Sequence, residues 1–168
     1  MGLVLLLGGA RSGKSRLAVR LAAESGLPVV FVATGEAGDE EMAERIERHR
    51  AERPASWETV EEPLRLRAAL EAAPADACLV VDCLSLWVAN VLERADVETE
   101  ATAAAAVARG RTAPTIAVSN EVGLGVVPAT PLGREYRDVL GRVNAIWAEA
   151  ADKSYFVVAG KTLALGDV

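Results

Sequence analysis

Near its amino terminus the chain reads Gly8-Gly9-Ala10-Arg11-Ser12-Gly13-Lys14-Ser15, which satisfies the spacing G-x-x-x-x-G-K-[ST] in full. This spacing serves the capture of a polyphosphate. Its glycines permit backbone angles that turn successive amides toward one anion. The helix expected to follow adds its positive end. Lys14 would bridge the β- and γ-phosphates, and the Ser15 hydroxyl would sit on Mg²⁺. A second group with this chemistry is Asp82, which ends the apolar run Cys78 to Val81 where a Mg²⁺-holding carboxylate belongs. Asp82 reads equally as a cap for the helix after it, and the two roles are compatible. A guanine-reading N-K-x-D segment is absent, with Ser119-Asn120-Glu121-Val122 its nearest approach, so a switch-type GTPase is disfavoured.

The third chemical residue is His49, the one histidine in the chain. On a helix, Met42, Ile46, His49 and Arg53 share a face. By itself a histidine on such a stripe reads as a packing residue. Arg50 and Arg53 lie within one turn of it. They read either as cations that offset phosphate charge or as a solvated helix end.

The elements that must position these groups alternate. Apolar runs at Leu3 to Leu7, Pro28 to Val32, Cys78 to Asp82, Thr115 to Ser119 and Tyr155 to Val158 predict buried strands, with Ser56 to Glu61 a short additional one. Helices are predicted over Lys14 to Glu24, from Asp39 as cap to Glu52, and over Leu64 to Ala72, Leu84 to Leu92, Glu98 to Arg109 and Arg134 to Ala151. A glycine-rich loop is expected from Asn120 to Gly133. The alternation predicts one α/β domain over residues 1–168, a parallel sheet with helices on both faces.

Composition limits the function. Of 168 residues, 51% are hydrophobic and 25% charged, which is globular. Eighteen basic residues against 24 acidic ones leave a net charge of −6, and aromatics are 4%, which together argue against a nucleic-acid partner. No apolar run approaches the ~20 residues of a membrane helix, and no secretory signal is visible, so a cytoplasmic protein without membrane insertion is expected. Cys78 and Cys83, five apart, are expected to point to opposite faces and to form no disulfide.

Taken together, these segments resemble the bifunctional adenosylcobinamide kinase/adenosylcobinamide-phosphate guanylyltransferase family of cobalamin assembly. The phosphate loop is shared with many families. More specific are Ala33-Thr34, Glu41-Met42, Arg45-Ile46, His49-Arg50 and Arg53-Pro54, then Trp57, Asp82-Cys83, Asn120-Glu121-Val122-Gly123, Gly125-Val126-Val127-Pro128, Arg137-Asp138 and Gly141-Arg142-Val143-Asn144. The resemblance implies a three-layer sandwich of the P-loop NTPase type. It implies phosphorylation of adenosylcobinamide by ATP or GTP, then transfer of GMP from GTP, through a guanylylated histidine, to adenosylcobinamide phosphate. Carried over by position, that histidine is His49. The nucleotide contacts are Gly8, Gly9, Ala10, Arg11, Ser12, Gly13, Lys14, Ser15, Ala33, Thr34, Gly35, Arg50, Ala51, Glu52, Arg53, Glu61 and Asp82, with Ser15 and Asp82 serving Mg²⁺. Glu61 would accept guanine N–H groups. The family also implies a homotrimer, in which Arg134, Arg137, Arg142 and Asn144 serve structure or subunit contacts. The segment 93–114 is shorter and richer in alanine than the resemblance implies. Two other readings stay open: a monofunctional P-loop kinase, and a regulatory subunit that binds nucleotide without catalysis.

Overall fold

The computed structural model describes residues 2–36, 38, 40–51 and 53–166; for Glu41, Met42, Arg45 and His49 the description covers the backbone alone. The expected cap Asp39 and the expected helix end Glu52 lie outside it.

Seven strands form one sheet: β1 (Leu3–Leu7), β2 (Val29–Ala33), β3 (Glu58–Glu61), β4 (Cys78–Asp82), β5 (Thr115–Val118), β6 (Lys153–Val158) and β7 (Lys161–Leu165). Their order is β3-β2-β4-β5-β1-β6-β7. Every pairing is parallel except that of β6 with β7. The helices are α1 (Lys14–Glu24), α2 (Glu40–Ala51), α3 (Leu66–Ala72), α4 (Leu84–Val91), α5 (Val97–Gly110) and α6 (Pro131–Ala150).

Strand alternation builds the layers. Leu3, Leu5 and Leu7 of β1 join Val30, Val32, Leu79, Val81 and Ala117 on one face. That face is covered by α3 to α6, with Trp87 and Trp147 as its largest buried side chains. Val4 and Leu6 join Phe31, Val80, Ile116 and Val118 on the other face, where Ala18 and Ala22 of α1 pack. Because both faces are covered, β1, β2, β4 and β5 are continuous apolar runs rather than alternating ones.

The alanines of segment 93–114 have a packing reason. Ala101, Ala104, Ala105 and Ala108 recur at helical spacing on α5 and are buried in the core that α6 also enters. Arg142 of α6 donates to Glu98 at 2.5 Å along the same pair of helices. Arg134 donates to the carbonyls of Pro128 and Ala129 at 3.0 Å, and Arg137 pairs with its neighbour Asp138. These arginines therefore have partners within the chain.

Three expectations need correction. Gly133 belongs to α6, not to the loop before it: Thr130 caps the helix by accepting from Gly133 N, and Pro131 occupies its first turn. Strand β7 was not expected at all, because its side chains stay exposed and no buried face marks it. Cys78 and Cys83 are free and buried, but both pack in the α1 layer rather than on the opposite faces expected of them. Alternation relates only residues within a strand, and Cys83 lies past the end of β4. Burial, then the charge of Asp82, pushes the Cys83 thiol up to about 11, so it stays a neutral thiol near pH 7.

Candidate functional site

The carboxyl ends of β1, β2, β4 and β5 open on one cleft of about 870 Å³. At its floor, β1 runs into the phosphate loop. Gly8 has φ 152°, Arg11 φ 55° and Gly13 φ 101°, so the backbone turns repeatedly through the left-handed half of φ space, as an anion-cradling loop must. Gly8 is also required sterically, since a Cβ there would stand 2.2 Å from the carbonyl oxygen of Val157 on β6. Gly8→Ala should cost about 1–3 kcal/mol or more through overpacking and backbone strain, read as a lower denaturation midpoint. Gly9, with open space around its Cβ position, should tolerate alanine better.

Helix α1 starts at Lys14 with Gly13 as its cap. Gly13 supplies no side-chain bond and no acidic residue enters the first turn, so the N–H end stays available to an anion. The Lys14 side chain is buried. Its Nζ donates to Gly9 O at 2.6 Å and to Ser12 Oγ at 3.3 Å, which holds the ammonium inside the curve of the loop.

Ala10 to Ser15, Ala33, Gly35, Arg50, Arg53, Glu61 and Asp82 all line this cleft. Thr34 does not. It is fully buried, its hydroxyl accepts from Cys83 N at 2.8 Å and donates to Cys83 O at 2.7 Å, and its own N–H donates to Asp82 O. Asn90 Nδ2 donates to Thr34 O at 2.8 Å. Thr34 thus fixes the end of β2 to the end of β4 and so holds the backbone of Asp82. Gly8 and Gly9 do not line the cleft either; Gly9 O accepts from Lys14 Nζ. Ala51 is exposed at the end of α2, and Glu52 lies outside the described residues.

Helix α2 forms one wall, contributing Ala43, Ile46, Glu47, Arg48 and Arg50. His49 sits on this helix among them; its side chain is outside the description. Arg50 pairs with Glu61 Oε1, joining α2 to β3, and donates to Glu47 at 3.2 Å. The two residues expected to bind different parts of a nucleotide are therefore partners, which leaves Glu61 Oε2 as an acceptor.

Arg53 lies over the ring of Phe31, 3.5 Å from its centroid. A guanidinium on a ring face gains about 0.5–2 kcal/mol and is held in one place. Burial lowers the Arg53 pKa and the Asp82 carboxylate works against that shift, but a guanidinium stays charged in either case.

Sequence reasoning missed several lining residues. Cys83 and Leu86 enter because β4 passes directly into α4 beside the cleft. Ala159 and Gly160 enter as the tip of the β6–β7 hairpin, with φ of 50° and 74°, and Gly160 N donates to Ser12 O at 2.9 Å. A two-residue connection ending in glycine was the available signal for that hairpin.

The donor set fits Mg²⁺. A hydroxyl at Ser15 and a carboxylate at Asp82 are hard oxygen ligands facing one cavity, and such a cation takes few protein ligands beside phosphate and water. Among the described residues no group of three or more His, Cys, Asp or Glu side chains forms a dedicated metal cage. No helix among them is long and apolar enough to cross a membrane.

Comparison with known proteins agrees over nearly the whole length. A family model described as cobinamide kinase / cobinamide phosphate guanyltransferase matches residues 4–165. The bifunctional adenosylcobalamin biosynthesis protein CobP of Pseudomonas aeruginosa is 52% identical, over 96% of this chain and 95% of that protein. CobU of Salmonella typhimurium, also named a bifunctional adenosylcobalamin biosynthesis protein, is 38% identical over 94% of this chain and 96% of its own. Among solved structures, flagellar accessory protein FlaH from Methanocaldococcus jannaschii aligns with TM-score 0.57 at 15% identity, covering 96% of this chain and 74% of FlaH. The RadB recombinase aligns with TM-score 0.55 at 16% identity, covering 92% and 73%. At such identities the likeness concerns the fold alone, an α/β sandwich around a mainly parallel sheet.

Proposed function

This chain belongs to the cobinamide kinase / cobinamide phosphate guanyltransferase family, and from that premise we propose how its residues perform the two reactions. The observation that carries the reading is that the phosphate loop and α2, the helix bearing the single histidine, wall the same cleft.

In the first reaction the loop from Gly8 to Ser15 holds ATP or GTP. The aminopropanol hydroxyl of adenosylcobinamide attacks the γ-phosphorus, the bond to the β-phosphate oxygen breaks, and the hydroxyl gives up its proton. The work is positioning and charge stabilisation, which Lys14, the loop amides and the α1 N-terminus supply. In the second reaction a neutral imidazole nitrogen of His49 attacks the α-phosphorus of GTP and pyrophosphate leaves. A phosphate oxygen of adenosylcobinamide phosphate then displaces the histidine, and the diphosphate linkage of adenosylcobinamide-GDP forms. With a reference pKa near ~6.5, imidazole is largely neutral at pH 7. Arg53, seated on Phe31, and Arg50 stabilise the charge on the departing pyrophosphate. Glu61 accepts from guanine.

Ser15 and Asp82 would hold Mg²⁺, which would neutralise phosphate charge. Asp82→Asn should raise the Mg²⁺ concentration for half-maximal activity about 10-fold or more while the domain stays folded. A wild-type Mg²⁺ titration in this variant would remove Asp82 from the role. In this reading residues 1–168 act as one domain in a cytoplasmic homotrimer. Incubation with α-labelled GTP tests the whole: a covalent label marks a guanylyltransferase, whereas a kinase alone would transfer only the γ-phosphate of labelled ATP to cobinamide.

A further inference from the structure

The order of the sheet places a third strand between the two that carry the phosphate chemistry. β1 delivers the loop and β4 delivers Asp82, but β5 lies between them: Val118 is in register with Leu6 on one side and with Asp82 on the other. A terminal phosphate that met Lys14 from the loop and a cation held by Asp82 must stand above the end of β5.

The chain leaves β5 under close control there. Ser119 N donates to Leu6 O at 2.9 Å and Glu121 N donates to Gly8 O at 3.1 Å, so the backbone runs beside β1 as far as the first glycine of the loop. Ser119 is fully buried, and its Oγ donates to Asn144 Oδ1 at 2.6 Å. Asn144 is itself buried on α6, and its Nδ2 donates to Asn120 O at 3.0 Å. Both functional atoms of Asn144 are thus spent on fixing residues 119 and 120. Asn120, held between them, lines the cleft together with Lys14 and Asp82. Among the described residues the Asn120 carboxamide makes no hydrogen bond. A pinned backbone with an uncommitted amide donor suits a residue that waits for a ligand.

We propose that Asn120 donates its side-chain amide to the terminal phosphate of the bound nucleoside triphosphate, and that Asn144 is the positioning residue that keeps it there. The assignment rests on the nucleotide-site reading given above. It makes Asn120 the group that distinguishes a triphosphate from a diphosphate, since a diphosphate leaves that position empty.

Binding to the intact protein with Mg²⁺ tests it, using GDP and the β,γ-imido analogue of GTP. A hydrogen bond to a charged oxygen is worth about 10- to 100-fold in affinity. Asn120→Ala should therefore weaken the imido analogue by about 10-fold or more while GDP changes by less than about threefold. Asn144→Ala should show the same selective loss in smaller measure. Equal weakening of both nucleotides, or an unchanged ratio, in a folded Asn120→Ala protein would overturn the assignment, whatever the stability of the Asn144 variant. Wild-type protein binding neither nucleotide would instead overturn the nucleotide site itself, and Asn120 with it.

Discussion

The His49→Ala protein is expected to take up no label from α-labelled GTP and to transfer no GMP to cobinamide phosphate. Removing a nucleophile that forms the covalent intermediate should lower that reaction by about 10³-fold or more. Phosphorylation of cobinamide should largely survive, because it passes directly from the loop-bound nucleotide to the hydroxyl. The split between the two activities is the decisive readout. The wild-type adduct should be acid-labile and base-stable, as a phosphorus–nitrogen bond is and a serine phosphate is not. A histidine that only packed would give a different pattern, a stability loss of about 1–3 kcal/mol that weakens both reactions together. A folded His49→Ala protein that still becomes labelled would exclude the mechanism, since the chain has no second histidine.

Lys14→Ala should impair both reactions, by about 10²-fold or more, because each needs a polyphosphate held in the loop and each builds negative charge there. The ammonium lies inside the loop on Gly9 O and Ser12 Oγ, and alanine cannot replace its charge. Steady-state rates for γ-transfer and for α-labelling, measured on the same preparation, check this. Near-normal labelling by a folded variant would detach the loop from guanylylation. Lys14→Ala and His49→Ala therefore form a pair: the first removes both activities and the second removes one.

What was legible in the sequence was what short spacing encodes. The phosphate loop and its strand and helix are contiguous, so one motif predicts all three, and the bounds of α1 were read correctly from Lys14 to Glu24. Asp82 was legible because a carboxylate ending an apolar run marks the edge of a buried strand. Contacts between distant segments were not legible. Nothing near Thr34 announces that its hydroxyl is occupied by the backbone of Cys83, 49 residues on. Nothing near Asn120 points to Asn144. The position of β5 between β1 and β4 is a property of sheet order, which periodicity does not carry. Strand β7 escaped because Lys161–Leu165 buries neither face, so its pairing with β6 left no hydrophobic signature.

The central place of β1 sets the order in which the protein can come into being on the ribosome. Leu3 pairs with Thr115 and Val4 with Lys153, so β1 waits for more than a hundred further residues before either neighbour exists. Until then five consecutive buried apolar residues have no sheet to enter, a state in which nascent chains are prone to associate wrongly. The phosphate loop shares that wait, because Val157 and Gly160, which back Gly8 and Ser12, are made long after it. A nucleotide therefore cannot template the early chain, and its binding site is completed only once the β6–β7 connection has been made.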